Sequence, residues 1–173
     1  MVKIVRAKCA PKTKSCPRFK FNTYDVPFIA DIMENPEYQA RAKGRRLKVV
    51  WMSPVEYDEA ITHGFRAKCK DKDDLCWKRQ IRARISQDNL DKIKKLMRTR
   101  PFNMPYLEYS HWVDGWHPDE EHIGFSQEGH HRMVAAEQLG AKKIPVVVVF
   151  PSRHVEFQKL IPLMSNKVRG ELE

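Results

Sequence analysis

The chain has 173 residues, 42% of them hydrophobic, which suits one domain that can bury a core without disulfides or metals and argues against wholesale disorder. Lys and Arg number 32 against 22 Asp and Glu, so the net charge is +10. This balance favours a polyanionic partner such as nucleic acid, or a phosphate-bearing nucleotide. A basic surface that serves only solubility is the alternative, because net charge does not specify function.

The sequence has no sign of membrane insertion or secretion. No apolar run approaches the roughly 20 residues that span a bilayer. The N-terminus is charged but lacks the apolar core of a secretory signal. We therefore expect a cytoplasmic protein, in which cysteines stay reduced unless a metal holds them.

The first part of the chain combines a basic segment with the first clear helix and strand signals. Residues 1–45 predict a basic N-terminal arm and a helix over about 27–44. Residues 47–52 are apolar and rich in Val and Trp, which predicts a strand. Ser53, with Pro54 and Glu56 behind it, has the pattern of a capping box, and Gly64 is the expected end of that helix.

The middle of the chain predicts a helix followed by a hairpin. The helix follows Ser86, has one apolar face and is stopped by Pro101. Residues 104–112 and 123–127 predict two strands on either side of a turn-rich acidic loop. Together these patterns predict a helix that leads into a pair of neighbouring strands.

The last third predicts a helix, a buried strand and a final helix. Residues 132–139 have helical spacing, with Gly140 as the cap at the carboxyl end. Residues 144–150 are a continuous apolar run, which is typical of a strand buried on both faces. A helix is expected over 155–164. The mixture predicts an α+β or α/β fold, a small mixed β-sheet with flanking helices, over 46–165, and a polar tail over 166–173.

The turn before the helix at 132–139 contains the residues that are best suited to ligand binding or catalysis. Gly129 allows an unusual backbone and the close approach of a ligand, while the free N–H groups of the first helical turn form an anion site. Arg132 can grip a phosphate in bidentate fashion. His130 and His131 can donate hydrogen bonds or move protons, and Glu128 can act as a base or hold a divalent ion.

A purely architectural role for this turn is the alternative. In that case the turn only connects a strand to a helix. Arg132 would then pair with a neighbouring carboxylate, and both histidines would face solvent. The residue types alone do not decide between the two interpretations.

The stretch "EGHHRMVAAEQLGAKKIPVVVV" resembles the signature of the ParB/sulfiredoxin-like superfamily, closely over about residues 127–150. The resemblance implies a phosphate-binding G-x-H-R turn, matched here by Gly129, His131 and Arg132. His130 stands where sulfiredoxins carry their catalytic cysteine, so their chemistry is not expected here. Only 23 residues follow Phe150, so we expect no helix-turn-helix module like that of the partition proteins.

The family members that this chain resembles most are phage-type proteins with a ParB-like nuclease domain, which implies a location in the host cytoplasm. The resemblance suggests three functional hypotheses. In the first, a nuclease or nucleotide hydrolase uses Glu128, His130 and His131 as catalytic groups, and Glu128 with Asp119 or Glu120 holds Mg²⁺ or Mn²⁺. The second is a non-catalytic DNA- or RNA-binding phage accessory protein. The third is a small-molecule kinase that binds a nucleoside triphosphate at the same turn.

Two further clusters have their own alternatives. The acidic loop around Asp119 and Glu120 is either a divalent metal site or a solvated loop. A basic run with Trp77 among its cations suits a nucleic-acid backbone, although such runs are commonly solvated faces. The residues of this basic run that we expect to contact nucleic acid are Lys78, Arg79, Arg82 and Arg84.

The four cysteines occur as two pairs with equal spacing: Cys9 and Cys16, then Cys69 and Cys76. Four thiolates can form a tetrahedral structural zinc site. The spacing within each pair is longer than that of a zinc knuckle, so ordinary reduced cysteines are the favoured alternative and disulfides the remaining one.

Overall fold

The fold is mixed α+β, in agreement with the sequence. The computed structural model describes residues 3–21, 45–68, 86–113, 121–151 and 158–172. Its strands are β1 Lys3–Arg6, β2 Lys8–Cys9, β3 Arg18–Phe21, β4 Arg45–Met52, β5 Phe102–Asn103, β6 Tyr106–Val113, β7 Glu121–Glu128 and β8 Ala141–Pro151. Its helices are α1 Pro54–Lys68, α2 Gln87–Met97, α3 His130–Gln138 and α4 Asn166–Leu172, with a 3₁₀ turn at Ile161–Leu163.

The larger sheet has five strands and is organised around β8. Strand β4 pairs antiparallel with β8 over residues 45–52, and β6 pairs parallel with it at residues 106–108. Strand β2 pairs antiparallel with the start of β8, while β6 and β7 form an antiparallel hairpin. Residues 144–150 are all buried, which confirms the prediction of a strand covered on both faces.

The smaller sheet has the order β1-β3-β5. Strands β1 and β3 are antiparallel, and β3 runs parallel to β5. Residues 3–21, which the sequence assigns to an arm, therefore form three strands that pair with one another and with the rest of the fold. The sequence signals miss these strands because they are two to four residues long.

Helix α1 begins as predicted. The Ser53 N–H donates to Glu56 Oε2 at 2.7 Å, and the Glu56 N–H donates to Ser53 Oγ at 3.2 Å, which is a capping box. The expected end at Gly64 is wrong, because the helix continues to Lys68. Gly64 instead packs against β7: a Cβ there would lie 2.4 Å from the ring of Phe125. A glycine that allows close packing and a glycine that ends a helix look alike in sequence.

Helices α2 and α3 lie where the sequence places them, and they pack against each other. Ser86 is the N-cap of α2, where its side chain accepts from the Asn89 N–H at 3.5 Å. Helix α3 begins two residues before the predicted start, and Gly140 follows it in the left-handed conformation at φ 89°. The predicted helix boundaries are therefore correct to within a few residues.

The end of the chain differs from the expectation of a polar tail. Residues 166–172 form α4, which packs against α1. Val168 is fully buried, and the buried Ser165 accepts a hydrogen bond from its N–H at 3.4 Å. The partly buried Leu172 also packs against the core, and a helix this short gives no clear periodic signal in the sequence.

Several predicted elements fall outside the described residues. These are the helix over about 27–44, most of the charged run that follows α1, and the loop with Asp119 and Glu120. The first part of the expected helix over 155–164 also falls there. Within the described ranges, no helix combines the length and the apolar character that crossing a membrane requires.

The close contact at Gly64 generates a prediction about stability. The ring of Phe125 is hemmed in by Phe65 and Tyr109, whose ring centroids lie 5.3 and 5.2 Å from it. Gly64→Ala should lower the free energy of unfolding, because overpacking costs about 1–3 kcal/mol while the gain in helix propensity is about 1 kcal/mol. Urea denaturation measures this difference.

Gly170→Ala is the matched control, because a Cβ at Gly170 in α4 meets nothing within 4 Å. It should raise the free energy of unfolding by up to about 1 kcal/mol through helix propensity alone. If Gly64→Ala stabilised the protein as Gly170→Ala does, the packing of α1 on β7 would be described incorrectly.

Candidate functional site

Gly129 joins β7 to α3 in a conformation that other residues adopt only with strain. Its φ is 105°, in the left-handed region. A Cβ at this position would lie 2.8 Å from the Cα and Cβ of Pro105, the residue just before β6. Both the backbone angle and the close approach therefore require glycine, and together they seat the start of α3 against the start of β6.

The first turn of α3 has no side-chain cap. Gly129 is the N-cap and has no side-chain oxygen, and the first turn contains no acidic residue. The N–H of Met133 donates to the Gly129 carbonyl at 2.9 Å as the first intrahelical bond. The N–H groups of residues 130–132 lie ahead of that bond, at the positive end of the helix dipole, which is a favourable position for an anion.

Arg132 is held in place by two contacts. Its Nη1 donates to the Asn103 carbonyl at 2.9 Å, and its Nη2 forms a 2.6 Å ion pair with Glu128 Oε1. The Arg132 side chain is 11% exposed and the Glu128 side chain is 51% exposed. A guanidinium has five N–H donors, more than these two contacts use. Arg132 is therefore anchored and can still bind a further acceptor.

Arg132 lines a cleft of about 330 Å³ between α3, β3 and the segment that precedes β5. The lining residues are Lys20, Arg100, Pro101, Phe102, Asn103 and Arg132. Three of these side chains are cations, and none of the described residues that line the cleft is acidic. We call this space the basic cleft. Its volume falls at the lower end of the range for small-molecule sites.

His130 lies on the other side of the turn from the basic cleft. Its Nε2 is 3.2 Å from Asp58 Oδ1 on α1, and its side chain is 11% exposed. Residues two apart on a helix point about 200° away from each other, which separates His130 from Arg132. The structure therefore does not bring His130 together with Arg132, although the catalytic hypothesis offers His130 as one of two alternative proton donors, beside His131.

His131 is half-buried at the start of α3. Its Nε2 is buried and has no hydrogen-bond partner among the described residues, and the same is true of Asn103 Oδ1. Buried polar atoms are normally paired, but Tyr109 Oη in the core also lacks a hydrogen-bond partner among the described residues, so the two atoms alone do not mark this region as a binding site.

Tyr57 fastens the turn to α1. It is fully buried, and its hydroxyl lies 3.3 Å from both Gln127 Oε1 and the Glu128 carbonyl, to which it can donate. Burial raises the pKa of Tyr57, an effect that Arg132 opposes and Glu128 reinforces. The phenol is therefore neutral and acts as a hydrogen-bond anchor for the end of β7.

The geometry matches each interpretation of the turn in part. Arg132 does pair with a neighbouring carboxylate, as the architectural interpretation expects. Both histidines are partly buried, although that interpretation expects them to face solvent. The basic cleft is the additional feature: Lys20, Arg100 and Asn103 reach it from segments distant in sequence, and no local pattern marks them.

Other predicted site residues lie outside the part of the chain that the structure describes. These are Asp119 and Glu120 of the acidic loop, the basic residues Lys78, Arg79, Arg82 and Arg84, and the cysteines Cys69 and Cys76. Within the described ranges, no group of three or more His, Cys, Asp and Glu side chains is arranged to hold a metal ion.

Cys9 and Cys16 form a disulfide, so the expectation that they are reduced or bind zinc is wrong for this pair. The turn between them is closed by a Thr13 N–H to Ala10 carbonyl bond, and it brings their Cα atoms within 6.0 Å. This separation suits a disulfide. The sequence spacing did not reveal that the intervening chain folds back on itself.

Comparisons with models of protein families, with curated proteins and with solved structures find no match to this chain.

The disulfide generates a prediction about stability under reducing conditions. In a Cys69→Ser/Cys76→Ser background, reductant should lower the free energy of unfolding by about 2 kcal/mol, because the unfolded chain loses a short closed loop. The further change Cys9→Ser/Cys16→Ser should lower it equally and abolish the response to reductant. Two titratable thiols in the unreduced, denatured protein of that background, or bound zinc in the folded form, would contradict the disulfide.

Proposed function

We propose that this chain is a ParB-like phosphate-binding protein that acts on nucleic acid, and that its phosphate site is the basic cleft beside Gly129. The observation that carries the proposal is the convergence of Lys20, Arg100 and Arg132 on one cleft whose described lining has no carboxylate. The resemblance around Gly129, His131 and Arg132 suggests the same ligand from the sequence side.

The charges favour an anionic ligand. Three cations line one cleft, and each adds to the attraction for a bound anion. Phosphate is well matched to the donors, because arginine can bind two of its oxygens at once. The uncapped first turn of α3, which carries Arg132, adds free backbone donors and a favourable dipole.

Glu128 competes with the ligand in this proposal. Its carboxylate already contacts Arg132, but half of its side chain is exposed, so it can leave the guanidinium for solvent without becoming a buried, unpaired charge. A phosphate that contacts all three cations can therefore displace it. Glu128 would then turn toward solvent, where the nuclease form of the proposal uses it with Asp119 or Glu120 to hold Mg²⁺ or Mn²⁺.

His131 is the preferred proton donor in the nuclease form, because His130 is paired with Asp58 on the opposite side of the turn. A nucleoside triphosphate bound for kinase chemistry would occupy the same basic cleft. Phosphate binding is common to the nuclease, the accessory protein and the kinase, so it is the property to test first.

The test compares four proteins by calorimetric titration with inorganic phosphate and pyrophosphate. Arg132→Gln should weaken binding about tenfold or more, since hydrogen bonds to charged groups contribute about 1.5–3 kcal/mol. Glu128→Gln should strengthen binding a few-fold, because it removes the competing carboxylate. Arg98→Gln is the control: it removes one exposed charge at the end of α2, outside the cleft lining, and should bind as wild type.

The ligand-free melting point of each variant separates loss of the site from loss of the fold. Equal phosphate affinity in wild type and a folded Arg132→Gln variant would refute the proposed site. So would weaker binding in Glu128→Gln than in wild type, because the carboxylate would then assist the ligand.

A further inference from the structure

The N-terminal hairpin is the most one-sidedly charged part of the described chain. Residues 3–21 contain seven cations and no Asp or Glu. The cations are Lys3, Arg6, Lys8, Lys12, Lys14, Arg18 and Lys20. They are carried by β1, β2, β3 and the loop that the Cys9–Cys16 disulfide closes.

The pairing of β1 with β3 puts cations on one face of the small sheet. Arg6 is directly opposite Arg18, and Ile4 is directly opposite Lys20, so these four side chains share a face. The alternate residues point the other way, where Phe19 is fully buried in the core. Arg6 and Arg18 are both exposed on the outer face.

This placement costs stability in the isolated protein. Like charges directly opposite one another in an antiparallel pair are destabilising. Arg18 donates to the Thr99 carbonyl at 3.2 Å, and among the described residues no carboxylate forms an ion pair with Arg6 or Arg18. An anion from outside the chain would relieve this repulsion.

The disulfide-closed loop continues the same charge. A hollow of about 590 Å³ beside the disulfide is lined by Arg6, Lys8, Lys12 and Lys14, and by no acidic residue among those described. Lys8 Nζ lies 4.7 Å from the centroid of the Trp51 ring, which anchors this part of the hairpin over β4. The four cations of the hollow are exposed.

The other end of the hairpin reaches the basic cleft. Lys20 lines that cleft, and Arg18 contacts Thr99, the residue before the cleft-lining Arg100. Successive same-face residues on a strand are about 7 Å apart. The cations therefore form a continuous row from the hollow, along the outer face of β1 and β3, to the basic cleft.

We infer that this row, which we call the basic face (Arg6, Lys8, Lys12, Lys14, Arg18 and Lys20), binds the phosphodiester backbone of a nucleic acid that also places one phosphate in the basic cleft. The inference rests on the proposed function and specifies its ligand as a polynucleotide rather than a free nucleotide. A row of cations that tracks a chain of phosphates is the usual basis of such binding.

An anionic membrane is a poorer fit to this surface. Helices and loops that bind bilayers insert apolar side chains among the lipids. Among residues 4–20, whose side-chain burial the structure describes, Ile4 is the single exposed large apolar side chain. The contacts available on the basic face are therefore almost entirely ionic.

The experiment measures the binding of fluorescent 20-nucleotide single strands and the corresponding duplex by anisotropy, over a series of salt concentrations. Arg6→Gln/Arg18→Gln should weaken binding on the order of tenfold or more at low salt, and should reduce the log–log salt slope by about 1.4 for single strands and 1.8 for duplex. Comparison of the single strand with the duplex shows which of the two nucleic acids the basic face binds more tightly. Lys92→Gln/Lys95→Gln removes the same charge from the exposed surface of α2 and is the matched control.

A second readout keeps the result independent of folding. Because Arg6 and Arg18 repel each other, the double variant should melt at the same temperature as wild type or higher at low salt, without nucleic acid. Equal loss of affinity in the variant and the control would overturn the basic face, since net charge alone would then explain binding. Preferential binding to phosphatidylcholine vesicles containing phosphatidylserine, lost in the Arg6/Arg18 variant, would overturn it as well.

The two proposals fail in different ways. Unchanged nucleic-acid binding in Arg6→Gln/Arg18→Gln, with weakened binding in Arg132→Gln, would remove the basic face and leave the basic cleft in place. Unchanged binding in both variants would refute both. The result that supports the basic face is weaker nucleic-acid binding by the Arg6→Gln/Arg18→Gln variant, with its affinity for inorganic phosphate unchanged.

Discussion

The burial of β8 on both faces is the constraint on which the rest of the structure depends. A run of seven buried residues from Ile144 to Phe150 has to be covered, and β4, β6 and β2 all pair with this strand. Helices α1 and α3 pack against it. Since β6 pairs with both β8 and β7, the end of β7 is held beside the start of β6. The turn at Gly129 occurs at that point, so its position follows from the sheet.

The basic cleft depends on the same arrangement at longer range. Arg132 reaches the Asn103 carbonyl because Gly129 packs on Pro105, just after β5. The parallel pairing of β3 with β5 then brings Lys20 to the same place. The architecture thus concentrates positive charge where the first turn of α3 is uncapped. The proposed role in phosphate binding is the simplest physical use of that concentration.

The features that the sequence predicts are those with local causes. The capping box at Ser53, the apolar run of β8 and the glycine of the turn each depend on neighbours a few residues away. The cleft partners were missed because Arg18 and Thr99, which join β3 to the cleft, are 81 residues apart. The disulfide was missed because spacing does not show a chain reversal. The role of Gly64 was missed because the facing ring belongs to another element.

The most direct test of the central claim is a nuclear magnetic resonance titration of the ¹⁵N-labelled protein with inorganic phosphate at constant ionic strength. We expect the largest amide shift changes at Lys20, Arg100, Asn103 and residues 129–132, which surround the basic cleft. A second cleft of about 470 Å³ lies between α1 and the start of α4 and is lined by Asp58, His63 and Arg66 among others. Shift changes confined to that second cleft, with the basic-cleft amides unmoved, would contradict the account.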